Sequence, residues 1–233
     1  MKTKEINNFE EFNNIINDYS GSNYLYRGQI NYDWKLIPKV GRPDFSKNIP
    51  DIFREDYLLN AWKRYGSSIL LKEPNDNWEW LALAQHHGLA TRLLDWTKNP
   101  LVALFFATYD FNLNSDGALY IFNFENEVLT RKDEEPFDIN RSGVFYPKGV
   151  SSRVINQRGV FTLSHKPHIP FDKLRNDKEF IKIKVHKKAK KNILEKLEIY
   201  GLNEFSIFQD LDNLSNHLNR FVINRENDKL IKL

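Results

Sequence analysis

A chain of 233 residues with 41% hydrophobic and 14% aromatic side chains can bury a sizeable core, which excludes an intrinsically disordered protein. Its 34 basic and 31 acidic residues leave a net charge of +3, so overall charge demands neither nucleic acid nor a membrane surface. The absence of cysteine excludes disulfides, thiolate metal sites and a cysteine nucleophile. The start "MKTKEINNFEEF" lacks the apolar core of a signal peptide and no run approaches a membrane span, so a soluble cytoplasmic protein is expected.

Along the chain, "NNFEEFNNIINDY" (7–19) places Phe9, Phe12, Ile15 and Ile16 at helical spacing before "SGS" ends it. "NYLYRGQ" (23–29) alternates and is aromatic, which predicts a short strand with Arg27 at its end. An amphipathic helix is expected over 51–71. A second, almost wholly apolar helix is expected over 77–88, closed by Gly88 at the C′ position. "NPLVALFFATYDF" (99–111) reads as a third, with Asn99 as N-cap and Pro100 at the first helical position. Strands are expected at 117–124, once or twice within 151–165, and at 178–185. Helices are expected at 187–201 and 211–222. A helical part (about 1–111) thus precedes a strand-rich part (about 112–233). Without βαβ alternation or a linker, the expectation is one α+β domain of helices on a mostly antiparallel sheet.

Chemistry concentrates in "LAQHHGLATRLLDWTKNP" (81–98). Two apolar helices converge on the connector "LATRLLDWTK", so its polar groups are held between apolar surfaces, where charges need partners. Arg92 and Asp95 are close enough in sequence to pair and lock a loop. That pairing does not explain why Gln85, His86, His87, Thr91 and Thr97 crowd the same place, and a concave site with convergent polar groups does. The adjacent histidines point to different sides of a helix and no metal motif accompanies them, so no metal is expected. In "YRGQ", Arg27 and Gly28 offer a guanidinium fork beside backbone N–H groups, which suits an anion such as a diphosphate, although an arginine at a strand end is often simply solvated. In "NQRGVF" (156–161), Gln157 precedes a turn-forming Gly159, where a hairpin hydrogen bond is the plainer role. Six lysines between Lys182 and Lys191, with His186 among them, read as a solvated face or as a track for a nucleic-acid backbone. No GxSxG, P-loop or GxGxxG pattern is present.

These pieces together resemble the FRG domain, named for its [FY]RG motif. The resemblance is carried by "LYRGQ" (25–29), "LALAQHHGLATRLLDWTKNPLVALFFA" (81–107), "INQRGVFTL" (155–163) and "IYGLNEFSIFQDLDNLSNHL" (199–218), which implies a single such domain over 1–233. A more distant similarity is to the mono-ADP-ribosyltransferases, which carry an Arg-Gly on a first strand, a Ser-Thr-Ser strand entering an "A…FA" helix, and a Glu-bearing strand. "YRG" resembles the first element and "LLDWTKNPLVALFFA" the second, with Asp95-Trp96-Thr97 in place of Ser-Thr-Ser. "INQRGVFTL" falls near the third, with Gln157 nearest the glutamate position.

The resemblance implies a split antiparallel sheet and NAD as co-substrate. It gives Arg27, Asp95 and Gln157 catalytic roles, and NAD contacts to Arg27, Gly28, Gln85, His86, His87, Thr91, Arg92, Trp96 and Thr97. Arg27 would hold the diphosphate or the nicotinamide ribose. Asp95 or Gln157 would hold that ribose through an oxocarbenium-like transition state, His86 or His87 would orient the adenosine ribose, and Trp96 would stack on nicotinamide. The expected function is ADP-ribosyl transfer to RNA, DNA or protein by a toxin or antiphage effector, with an antitoxin as a further partner. The alternatives are a non-catalytic nucleotide or nucleic-acid sensor and an NAD glycohydrolase.

Overall fold

The structure, a computed structural model, describes residues 1–46, 53–111, 113–125, 128–129, 134–147, 158–175 and 179–224. Strand β1 (Lys2–Ile6) precedes helix α1 (Phe9–Asn17), which starts where the Asn8 side chain accepts from the Glu11 N–H at 2.8 Å and which buries Phe9, Phe12 and Ile16. Strand β2 (Tyr24–Gln29) leads to short α2 (Pro43–Ser46) and then to α3 (Phe53–Gly66). Helix α4 (Asn77–His86) is capped by Asp76 and ends at Gly88, whose φ of 85° is the left-handed stop expected of a C′ glycine. Strand β3 (Leu93–Thr97) runs into α5 (Pro100–Thr108), begun by the Asn99 cap and Pro100 as expected. Strands β4 (Gly117–Asn123), β5 (Gly143–Phe145), β6 (Gly159–Leu163) and β7 (Phe180–Val185) follow. Helices α6 (Lys190–Ile199), α7 (Glu204–Phe208) and α8 (Leu211–Asn224) complete the described chain.

The seven strands form one sheet in the order β1-β7-β4-β2-β3-β6-β5, antiparallel throughout except for the parallel β1–β7 pair. The α+β reading holds, but the order of elements differs from expectation: besides the expected β2, strands β1 and β3 also lie in the first 111 residues. The connector around Asp95 is itself a strand, because all five residues 93–97 pair with β6 and so satisfy backbone groups that a buried loop would leave open. Helix α3 stops at Gly66, short of the expected 71.

Strand alternation assigns the two faces. On one, Tyr26, Leu119, Ile121, Ile181, Ile183 and Val185 pack against α1, α5 and α6. On the other, Leu25, Leu94, Trp96, Tyr120, Phe122 and Phe180 pack under Leu36 and Phe171. At the β3–β6–β5 end a third cluster joins Leu93, Phe161 and Phe145 to α3 and α4. Two separate helical layers, α5 and the α3–α4 pair, therefore meet over the middle of the sheet, where β2 and β3 pair only at Tyr26 and Thr97. Beyond that pair the two strands part. No helix among the described residues is long and apolar enough to cross a membrane.

Candidate functional site in the seam between two strands

The parting of β2 from β3 opens a cavity of about 260 Å³. Its walls are Tyr26, Arg27 and Gly28 of β2, Gln85 and His86 of α4, Asp95–Thr97 of β3, Val102, Ala103 and Phe106 of α5, and Gly159 and Phe161 of β6. Gly28 is required for this closeness: a Cβ there would lie 1.9 Å from the Ala103 carbonyl oxygen and 2.6 Å from the Ala107 nitrogen. Helix α5 can sit against β2 only because position 28 has no side chain.

Alternation places Arg27 on the Leu25 face, from which its guanidinium enters the seam. There Nη1 donates to the Asp95 main-chain carbonyl and lies 3.7 Å from Asp95 Oδ2. Burial pulls the Arg27 pKa below that of an ordinary arginine. The neighbouring Asp95 carboxylate opposes that shift, and nearby Arg42 adds to it. The Nε atom of Arg27 is buried without a partner among the described residues. The guanidinium thus bridges two strands that lack a ladder there while keeping donor capacity in reserve.

Asp95, 61% exposed at its side chain, is the one carboxylate among the described residues lining the cavity. Its Oδ2 accepts from Gln85 Nε2 at 3.1 Å, and Gln85 Oε1 accepts in turn from the Thr91 hydroxyl at 2.5 Å. The expected Arg92–Asp95 pair does not form. In an extended chain, residues three apart point to opposite faces. Arg92 instead turns into the interior and meets Glu55 of α3 through its main-chain N–H at 2.7 Å and its Nε at 2.8 Å. It also donates Nη1 to the Pro136 carbonyl and stacks against Phe137.

Of the residues singled out by sequence, Arg27, Gly28, Gln85, His86, Asp95, Trp96 and Thr97 line the cavity. Trp96 does so with its ring turned into the core beside Phe122, and with its indole N–H donated to Thr162 Oγ1 at 2.9 Å. A nicotinamide-stacking ring is therefore not what the strand presents. His87 caps α4 and lies against Trp62, outside the cavity wall. Thr91 and Arg92 are buried behind the wall. Gln157 lies outside the described residues, while Gly159 and Phe161 of the strand that follows it form one wall.

The basic stretch 182–191 is largely occupied with holding loops. Lys182 donates to the Tyr32 carbonyl and lies over the Tyr32 ring, and Lys184 pairs with Asp116 at 3.0 Å. Lys187 donates to Asn114, and Lys190 to the Ile30 carbonyl. Four of the six lysines are thus committed, which favours the structural account over a nucleic-acid track.

Sequence reasoning missed Glu55, which lies 37 residues before its partner, and Arg42, which follows the 3-10 turn Lys39–Gly41. It also missed the apolar wall of Val102, Ala103 and Phe106, which reads from sequence as ordinary helix core. Nothing local marks Arg42. Glu55 stands in the acidic first turn of α3 beside Asp56, and nothing local distinguishes it as the partner of Arg92.

Against known families, the FRG domain model matches residues 22–116. No curated protein and no solved structure matches the chain.

Proposed function

Starting from an FRG domain at residues 22–116, we propose that the seam is a nucleotide site and that the protein transfers ADP-ribose from NAD to a macromolecular acceptor. The observation that carries the reading is the convergence of Arg27 and Asp95, 68 residues apart, in one cavity where two central strands separate. Paired positive and negative groups at one opening suit a ligand with a phosphate and a ribose. Arg27 has a buried Nε, without a partner among the described residues, to offer an anion, and Asp95 can accept from sugar hydroxyls and face positive charge as it develops on the ribose carbon.

Size limits how NAD would bind. The cavity, about 260 Å³, lies just below the about 300–1,000 Å³ of pockets that enclose whole ligands. The nicotinamide riboside end would occupy it, with the diphosphate at Arg27 and the adenosine outside, near His86. Gly28 keeps the floor thin and Thr97 lines the β3 side, its hydroxyl already accepting from the Asn99 N–H at 2.9 Å. No step here needs a metal. The role as toxin or antiphage effector, restrained by an antitoxin, is proposed from the family resemblance.

Labelled NAD incubated with purified protein and a mixture of RNA, DNA and protein tests the reading. Nicotinamide release with label on a macromolecule is the expected result. Free ADP-ribose alone would make the protein a glycohydrolase, and binding without turnover a sensor. Arg27→Ala should lower transfer by two to four orders of magnitude, because two charge-assisted hydrogen bonds of about 1.5–3 kcal/mol each are lost. Arg27→Lys should restore little, since an ammonium cannot reproduce the planar fork. If expression arrests growth, the arrest should vanish with Arg27→Ala at equal protein level.

A further inference from the structure

Three hydrogen bonds run in series from behind the cavity wall to its lining. The Leu93 N–H donates to Thr91 Oγ1 at 3.2 Å, the Thr91 hydroxyl donates to Gln85 Oε1 at 2.5 Å, and Gln85 Nε2 donates to Asp95 Oδ2 at 3.1 Å. Each bond fixes the sense of the next. Because a main-chain N–H can only donate, Thr91 Oγ1 must accept there, and its own proton is free to go to Gln85. Turning the Gln85 amide over would set its oxygen 3.1 Å from a carboxylate oxygen, with two acceptors face to face, and would leave the Thr91 proton without its acceptor.

Thr91 is fully buried and its main-chain carbonyl accepts from Val40 at 3.3 Å, so the start of the relay is anchored in the fold. At its other end, the two side-chain contacts that Asp95 makes among the described residues, from Gln85 and from Arg27, both fall on Oδ2.

We infer that Gln85 is a positioning residue, locked by Thr91, that holds the Asp95 carboxylate by Oδ2 so that Oδ1 is presented to a hydroxyl of the ligand. The inference rests on the proposed nucleotide reading for the identity of that hydroxyl, a ribose hydroxyl of NAD. It does not rest on it for the relay itself. Gln85 thereby acts through Asp95 and is not one of the groups that touch the reacting atoms. The arrangement accepts a hydroxyl donor at Oδ1, so an analogue that lacks the ribose hydroxyl loses the interaction that Gln85 prepares.

Two measurements test this independently of each other. In the 15N-labelled protein, the Gln85 side-chain amide should give two resolved, exchange-protected resonances. That protection should be lost in Thr91→Val and kept in Thr91→Ser. A freely exchanging Gln85 amide in the wild type overturns the relay whatever NAD does. In calorimetric titrations with NAD, Gln85→Met and Thr91→Val should each weaken binding about three- to tenfold, the scale of one misplaced hydrogen bond, with Thr91→Ser restoring it.

The weakening should disappear when the probe is an NAD analogue lacking the nicotinamide-ribose hydroxyls. Equal weakening for NAD and the analogue, or none for either, refutes the positioning role. Thr91→Val also strands the Leu93 N–H and can fail to fold, in which case Gln85→Met alone decides. A wild-type protein with a protected Gln85 amide and no affinity for NAD overturns the nucleotide reading, while the relay then stands on the resonances.

Discussion

Two arginines flank the same strand and meet the same kind of partner, yet they do opposite work. Arg92 and Glu55 are each 2% exposed at the side chain, 2.8 Å apart, and the arginine's remaining contacts are a carbonyl and an aromatic face. Arg27 and Asp95 are 14% and 61% exposed and 3.7 Å apart, and Arg27 keeps a buried Nε without a partner among the described residues. The first pair closes on itself and serves the fold: it ties α3 to the start of β3. The second is half made and faces a cavity. A charge whose partners are all supplied by the chain has no capacity left for a ligand, and one left short at an opening does.

The sharpest way to break this contrast is to remove one member of the closed pair. Arg92→Ala strands the Glu55 carboxylate among apolar side chains and should cost about 3–5 kcal/mol in urea denaturation. Glu55→Leu with Arg92→Met should recover most of that, because burying both charges already carries a desolvation penalty. That penalty is visible in Glu55, whose carboxyl burial raises above its usual range against the opposing pull of Arg92. A mild Arg92→Ala phenotype would show that the pair is not the staple described here.

Next in size is Gly28→Ala. A methyl 1.9 Å from the Ala103 oxygen forces α5 away from β2, and forced overpacking costs about 1–3 kcal/mol. The measurement is a denaturation curve paired with NAD titration, and ligand affinity should fall with stability because α5 is a cavity wall. The open pair comes third. Arg27→Ala removes one hydrogen bond across the seam and should cost about 1 kcal/mol of stability, far less than Arg92→Ala. Equal destabilisation by the two substitutions would erase the distinction between them.

The smallest effect is a pH dependence. His165, whose Nδ1 lies 2.8 Å from Ser142 Oγ, has its pKa lowered by burial, with Lys166 and Arg92 adding to the shift. A histidine with a depressed folded-state pKa favours the folded chain when neutral. Its contribution is therefore complete above the unfolded value of about 6.5 and is lost as pH falls through that value toward the folded one. The melting temperature should drop slightly on acidification below about pH 6.5, and His165→Gln should flatten that limb.

Sequence by itself determined the local structure wherever one short stretch held the whole cause. Phe9, Phe12, Ile15 and Ile16 at helical spacing, Gly88 at a helix end, and Asn99 with Pro100 at a helix start marked α1, α4 and α5, because spacing and caps act within a few residues. Alternation in "NYLYRGQ" gave β2, although Arg27 lies within that strand opposite Tyr120 and not at its end, and of the polar crowding of 81–98 Gln85, His86 and Asp95 reach the cavity.

Only the tertiary structure decided who pairs with whom. Reading 93–97 as a connector made Arg92 and Asp95 natural partners, but once β6 pairs along it the segment is a strand and the two side chains point apart. Likewise, a glycine beside an arginine says nothing of α5 lying against it, and "GRPDF" says nothing of Arg42 lying near Arg27. Burial and pairing depend on which strand lies next to which. That order, β4-β2-β3-β6 with a single pair joining its middle, is set by contacts between residues far apart in the chain.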